Sequence, residues 1–474
     1  MKNTLLEKVY KLTDFKENGH QLIDALAQHM QTQINAENPK VIPWNSPENE
    51  LEFWKEFLKN GNKNVFLDTV IKHSTSVHHP KYIGHQVSPT APITILSGMV
   101  SAMLNNGMAV YEMGMASNAI ECIITDLLCT KIGYGNNSNG FLTSGGTLAN
   151  LTALLAARKA KVSDDIWNKG HTKPLGILVS KEAHYCIERA AKIMGLGEKG
   201  IIKIPATSDF KMDTSYLEEY YQKASSEGIE VFAIVGSAPS TATGMFDDLE
   251  TIAAFSKKHH IWFHADGAHG GAGIFSSKYK HTLKGIAHAD SVVIDGHKMM
   301  MMPGVTTALL FKNSSDSFAT FSQKADYLLE NSNEQDWYNS GKRTFECTKN
   351  MMCLHWFALL KAYGEEVFNQ NVTTLYDLGH QFGEMLVQHP NFELAVTPTS
   401  NIVCFRYVRP NLNENELNAL NKNIRQKLLE DGEFYIVQTK LKGKHYLRTT
   451  IMNPFTTLAH LEQLLDKITG LVIK

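Results

Sequence analysis

No stretch of this 474-residue chain is apolar for long enough to span a bilayer, and Met1-Lys-Asn-Thr-Leu-Leu-Glu-Lys-Val9 lacks the apolar core of a secretory signal. A soluble, cytoplasmic protein is expected. Neither sign of charge is in excess: 46 lysines and arginines stand against 48 aspartates and glutamates, a net charge of −2, so there is no electrostatic case for nucleic acid or an anionic membrane. Cysteine is sparse. Cys122, Cys129, Cys186, Cys347, Cys353 and Cys404 are scattered without a C-x-x-C pair, the pattern of reduced core thiols rather than of a disulfide framework or zinc ribbon. Internal repeats, low-complexity tracts and proline- or serine-rich linkers are also missing. What is present, 43% hydrophobic residues over this length, is ample for two or three domains with a true core.

Taken in order, residues 1 to about 60 read as a helical arm, with Leu22, Ile23, Leu26 and Met30 at helical spacing and a break between Pro39 and Pro43. Such an arm cannot bury its apolar face alone and needs the main body or a second subunit. His79 to Pro92 reads as an ordered loop, Ile93 to Ala109 and Ala119 to Ile132 as helices. Short apolar strands then alternate with helices: strands at Leu175–Ser180, Gly200–Pro205, Val231–Gly236, Ile261–Ala265 and Ser291–Asp295. That alternation predicts an α/β fold with a mostly parallel central sheet flanked by helices, and ligands in such sheets sit beyond the carboxyl ends of the strands.

Polar clusters fall at those ends: His184; Ser237 with Ser240 and Thr241; His264, Asp266 and His269; and Asp295, His297 and Lys298. Lys298 stands between an apolar strand and a run of four methionines, where desolvation favours the neutral, nucleophilic amine. Asp266 closes a buried strand and needs a cation or several donors; the protonated ring nitrogen of pyridoxal 5'-phosphate (PLP) is one such cation. The alternative is a cap or a structural ion pair. The histidines around Asp266 also raise a metal site, but their spacing matches no standard zinc pattern. Gly140-Phe-Leu-Thr-Ser-Gly-Gly-Thr-Leu-Ala-Asn150 precedes the clear helix Leu151–Arg158, so Gly145, Gly146 and Thr147 are candidates to cradle a phosphate, against the plainer reading of a turn and cap.

With Thr143-Ser-Gly-Gly-Thr-Leu-Ala-Asn150, Ala183-His184-Tyr185, His264-Ala-Asp-Gly-Ala-His-Gly-Gly271 and Asp295-Gly-His-Lys298 in this order, the chain resembles the group II PLP-dependent amino-acid decarboxylases, which act on aromatic amino acids, glutamate or 2,4-diaminobutyrate. The likeness runs from about His79 to the C-terminus. It implies the aspartate-aminotransferase-like fold type I, with an N-terminal arm and substrate loop at 1–85, a large PLP-binding domain at 86–360 and a small α+β domain at 361–474. It further implies that Lys298 holds PLP as a Schiff base, His184 stacks on the ring, Asp266 pairs with the ring nitrogen and Ala268 packs beneath it. Gly145, Gly146, Thr147, Asp295 and His297 would surround the phosphate, with Ser237 and Ser240 supplying hydroxyls. Arg448 would read a substrate carboxylate, the bidentate partner to which arginine is suited, while His85 and Gln86 would meet the substrate side chain. A homodimer is implied, with no nucleic acid, membrane or metal.

One segment departs from the family. A loop tyrosine that protonates the substrate carbon after CO2 leaves is expected within Tyr327 to Gly341, yet Glu334 falls at its position and Tyr338 comes a little later. Either Tyr338 takes the role or the step differs, which opens decarboxylation-dependent oxidative deamination. Two other readings stand beside the decarboxylase, whose substrate would be acidic or diamino (aspartate, glutamate, 2,4-diaminobutyrate) rather than aromatic. One is a different fold-type-I enzyme such as a cysteine desulfurase, for which Cys347 is the candidate nucleophile. The other is a non-enzymatic protein on a retained PLP fold.

Overall fold

The computed structural model describes residues 4–321 and 336–473. The chain forms two compact units, one comprising 1–85, 407–449 and 453–474, the other 86–406 with 450–452. Among the described residues no helix is long and apolar enough to cross a membrane.

The second unit is built on seven strands: β1 (Asn139–Thr143), β2 (Leu175–Ser180), β3 (Ile201–Ile204), β4 (Glu230–Ser237), β5 (Trp262–Asp266), β6 (Ser291–Asp295) and β7 (Thr307–Phe311). They lie in the order β1-β7-β6-β5-β4-β2-β3. Strands β3, β2, β4, β5 and β6 pair in parallel, as the alternation of strand and helix predicts. Every residue of β2, β5, β6 and β7 is buried, so the sheet is covered on both faces. Strands β1 and β7 are additions to the predicted set, and both run antiparallel to their neighbours. The cause lies in the connection. Residues 296–306 join β6 to β7 without a helix, too short for a parallel crossover, so the chain must return.

Helix Gly146–Lys161 buries Ala149, Leu151, Ala153, Leu154, Ala156 and Ala157 against the sheet. With helix Tyr185–Ile193 it encloses a core containing Phe141, Val179, Ala233, Trp262, Leu309 and Phe311. It starts five residues before the strongly apolar run because its first turn is glycine and threonine, poor helix formers placed where a ligand can complete the N-terminus.

A buried ion pair fixes the end of β1, the approach to that helix. Lys349 Nζ donates to Glu121 Oε1 at 2.6 Å and to the Leu142 carbonyl at 2.7 Å, with both side chains almost fully buried. Lys349→Met strands the Glu121 carboxylate, and a loss of about 3–5 kcal/mol of unfolding free energy is expected in urea titration. Replacing Glu121 and Lys349 together with apolar residues should cost much less.

Strands β8 (Phe392–Leu394) and β9 (Ile402–Tyr407) follow. In the first unit, helices Leu12–Ile34 and Pro47–Asn60 form the arm, the latter capped by Ser46 with proline at its first position. The same unit carries the antiparallel hairpin β10 (Val437–Leu441) and β11 (Lys444–Thr450), in which Val437 faces Arg448. Tyr82, from the loop predicted at His79–Pro92, bridges to Tyr435.

Candidate active site

Asp266 closes β5 and Asp295 closes β6, so two carboxylates emerge at adjacent strand ends. The connection after β6 is drawn tight at its base: Gly296 N–H donates to the Thr306 carbonyl at 2.9 Å, and His297 Nδ1 lies 3.0 Å from the same oxygen. A Cβ on Gly296 would meet Trp356 at 2.7 Å, which explains glycine there. Met299, Met300 and Met302 are buried, and Lys298 is left facing a cavity of about 300 Å³.

That cavity gathers most of the residues singled out in the sequence. Gly145, Gly146 and Thr147 line it from the start of helix Gly146–Lys161, and His184 from the start of helix Tyr185–Ile193. Asp266, Ala268, Asp295, His297 and Lys298 line it from the ends of β5 and β6. Ser237 and Ser240 do not. Ser237 N–H is turned to Asp247 and the Ser240 hydroxyl to Thr243, and Thr241 lines the wall instead. Ser144, Asn150, Cys186, Pro239, His269 and Val305 also line it; in the sequence Ser144 and Asn150 stand out only as parts of a longer motif, and Cys186 only as one of the scattered cysteines.

Lys298 Nζ sits 2.9 Å from Asp295 Oδ2, and the Thr307 hydroxyl donates to Asp295 Oδ1 at 2.5 Å. Burial opposes ionisation of Asp295, but the charges of Lys298 and His297 and these hydrogen bonds outweigh it and hold its pKa below the usual carboxylate range. Because the folded value lies below the unfolded one, the stabilisation is present above about pH 4, the unfolded aspartate value, and is lost as pH falls through the folded value. The melting temperature of the cofactor-free protein should therefore fall more steeply below about pH 4 than that of Asp295→Asn.

His184 Nδ1 accepts from the Cys186 N–H at 3.3 Å, which leaves the ring proton on Nε2. Burial lowers its pKa, although the Asp266 charge pulls the other way, so the imidazole is neutral near pH 7. The Cys186 thiol is pushed up by burial and stays protonated.

Two observations test the fit of PLP. Asp266, 8% exposed, accepts from the Ala268 N–H at 3.2 Å and forms no ion pair with a basic side chain among the described residues. A carboxylate so placed lacks its cation. Second, helix Gly146–Lys161 begins without a side-chain cap, and the N–H groups of Gly146 and Thr147 have no acceptor among the described residues. Gly145 has φ +110°, and a Cβ on Gly146 would come within 3.2 Å of the Asp295 carboxylate, so the backbone is bare where an anion would approach. Ring and phosphate both have a matching receptor in one cavity.

The match is general along the chain. Residues 40–408 fit the model of the pyridoxal-dependent decarboxylase conserved domain. The chain belongs to the pyridoxal-dependent decarboxylase family. As a member it is a PLP-dependent amino-acid decarboxylase, a carboxy-lyase. It is 26% identical to an aromatic-L-amino-acid decarboxylase of Bacillus atrophaeus, covering 97% of this chain and 95% of that protein. It is also 26% identical to an L-aspartate decarboxylase of Metarhizium robertsii, over 87% of this chain and 82% of the other. Among solved structures, the glutamate decarboxylase domain of the diaminobutyrate-pyruvate transaminase and L-2,4-diaminobutyrate decarboxylase from Vibrio parahaemolyticus superposes with a TM-score of 0.82 at 28% identity, covering 95% of each chain. The fold is type I, as the four motifs implied.

Other candidate residues of this decarboxylase lie elsewhere. Tyr327 and Glu334 fall outside the described residues. The Tyr338 ring packs against Tyr111, its centroid 5.8 Å away, and its carbonyl accepts from the Asn118 amide. Cys347 is exposed and lines a separate cleft with Leu151, Arg158 and Phe345. The two ring nitrogens of His264 are taken by Ser291 and Asn150, and among the described residues no group of three metal-ligating side chains forms.

In the first unit, the His85 ring lies 5.6 Å from that of Tyr435. Its pKa is lowered by partial burial and then by the charges of Arg448 and Arg425. Arg448 is buried, and Arg425 stands 5.7 Å over the Tyr435 ring with no carboxylate partner among the described residues. Sequence reasoning missed Arg425, one of three basic residues on the charged helix Glu414–Asp431. Gln86 begins the second unit, its Nε2 buried without a partner among the described residues.

Proposed function

We propose that the protein decarboxylates an L-amino acid with an acidic side chain, and that Arg448, supported by Arg425 and His85, reads that side chain's carboxylate. The observation that carries the reading is the local excess of positive charge around His85, with Arg425 lacking a carboxylate partner among the described residues. A guanidinium held without an acid of its own, beside a second arginine, is a receptor for an anion. The resemblance to an aspartate decarboxylase agrees with it. Gln86, with a buried donor to offer, is a further candidate for recognising the substrate side chain.

PLP, when bound, supplies the electron sink for the carbanion left by CO2. The protein's own groups do the rest. Lys298 Nζ would hold the cofactor through its aldehyde carbon and supply the amine that frees the product. Asp266 would hold the ring-nitrogen proton and so keep the ring positively charged. Gly145, Gly146 and Thr147 fix the phosphate, with Asp295 and His297 setting the position of the lysine. His184, its ring proton on Nε2, would be the proton donor within the cavity, whereas Tyr338 lies outside that cavity's lining.

A homodimer in the cytoplasm completes the proposal. Helix Pro92–Leu104 exposes Leu96, Met99, Val100, Met103 and Leu104, an apolar face suited to a second copy.

The test is a panel of L-amino acids with amine, CO2 and peroxide identified by mass. Aspartate or glutamate should give amine and CO2 without peroxide, and Arg448→Gln should raise KM for that substrate by about tenfold or more with a smaller change in kcat. Preferential turnover of aromatic substrates, or an unchanged KM in the variant, would refute the acidic reading. Stoichiometric peroxide would point to oxidative deamination.

A further inference from the structure

From Asn150 in the cavity wall, a line of buried polar groups runs back into the core. Trp262 and His264 of β5, Ser291 of β6 and Asn150 of helix Gly146–Lys161 are each no more than 1% exposed. Trp262 Nε1 lies 2.9 Å from Ser291 Oγ, which is 2.8 Å from His264 Nδ1. His264 Nε2 is 2.7 Å from Asn150 Oδ1, and Asn150 Nδ2 is 2.8 Å from the Gly146 carbonyl.

The direction of every link is fixed by chemistry. The Gly146 carbonyl only accepts, so Asn150 must present its NH2 there and its oxygen to His264. That oxygen also only accepts, so the imidazole proton is on Nε2. Burial pushes the His264 pKa down to about 4, against the pull of Asp266, so the ring is neutral and Nδ1 is bare. The Ser291 hydroxyl therefore donates to Nδ1, while its oxygen accepts from the indole N–H, which only donates. Four hydrogen bonds thus point one way, from Trp262 to Gly146. Aligned bonds polarise one another in a low-dielectric interior.

The carbonyl at the end of this line shares its peptide unit with the N–H of Thr147, one of the two groups left open to the phosphate. Donation to a peptide oxygen draws electron density off the nitrogen and makes its N–H a stronger donor. It also fixes the plane of that peptide. We propose that Asn150 and His264 are positioning residues for the cofactor phosphate, acting through the Gly146–Thr147 peptide: Asn150 borders the cavity, but its amide is engaged by Gly146 and His264. The inference rests on the PLP assignment and goes beyond it.

The experiment compares binding of PLP with binding of pyridoxal, which lacks the phosphate, in the wild type, Asn150→Ala, His264→Leu, His264→Gln and the Asn150→Ala/His264→Leu double variant. Both are measured by tryptophan fluorescence titration, with the ³¹P resonance of bound PLP recorded in parallel. Asn150→Ala and His264→Leu should each weaken PLP by about tenfold or more and move the ³¹P resonance, while leaving pyridoxal affinity within about twofold. His264→Gln, whose amide can still donate to Asn150, should recover most of the loss, and the double variant should be no worse than either single. Equal losses for PLP and pyridoxal, or additive losses in the double variant, would show a packing role and overturn the proposal. If His264→Leu does not fold, Ser291→Ala cuts the same line with little change in volume and must weaken PLP selectively as well; unchanged PLP affinity there overturns it. A wild type that binds no PLP would instead refute the cofactor assignment.

Discussion

Lys298→Ala will retain no covalently attached cofactor and release no CO2 above background from any amino acid. Among the described residues lining the cavity, this is the amine that can condense with an aldehyde to an imine; the Cys186 thiol is kept protonated by burial, and neither His184 nor His297 can replace the lysine. Alanine also leaves Asp295 buried without the cation 2.9 Å away, so this variant should lose stability as well, by about 3–5 kcal/mol for a stranded buried charge. Lys298→Arg separates the two effects. A guanidinium stays protonated and cannot form the carbon–nitrogen bond, yet it can still neutralise Asp295. It should melt close to the wild type and be equally inactive. Intact mass and the visible spectrum after adding PLP report attachment; CO2 capture reports turnover. Residual turnover in Lys298→Arg would remove the lysine from its assigned role.

Asp266→Asn is expected to keep the cofactor attached but to lower kcat by roughly 10²–10³-fold, the usual consequence of removing one preorganised electrostatic group. An amide carries no charge to hold the proton on the ring nitrogen, so electron withdrawal weakens just as CO2 leaves. Folding moves the other way. Asp266 is a buried carboxylate with one backbone donor, so its replacement by a neutral amide should leave the cofactor-free protein as stable as the wild type or more so. PLP methylated at the ring nitrogen carries a permanent positive charge and should restore part of the lost rate in the variant. A kcat within about threefold of wild type would place the electron sink's charge under some other control.

Much of this is legible in the sequence because the sheet is written in local code. The apolar segments Leu175–Ser180 and Ser291–Asp295 are strands with those bounds. A parallel sheet delivers the residues after each strand to one edge, so alternation alone brings His184, Asp266 and Lys298 together. The features that escape depend on contacts distant in sequence. Strand β1 opens with asparagine and glycine and runs into a glycine-rich turn, so it reads as the lead-in to a helix. Strand β7 follows a methionine run and the turn signal Pro303-Gly304, yet nothing local says that the chain must return antiparallel to β6. The sequence places Ser237, Ser240 and Thr241 at one strand end; Asp247 takes the Ser237 N–H, Thr243 takes the Ser240 hydroxyl, and Thr241 lines the cavity. Asn150 and His264 meet across 114 residues. No periodicity records such a contact.

The loop between β6 and β7 carries one more implication. Its two ends are joined by the main-chain hydrogen bond from the Gly296 N–H to the Thr306 carbonyl, so the reactive lysine rides on a closed hoop rather than a free arm. Its reach is then fixed where the hoop is fastened. The methionines around the hoop fill space and can be exchanged for other flexible apolar side chains in the course of evolution, whereas adding or deleting a residue between the fasteners would move the nucleophile itself.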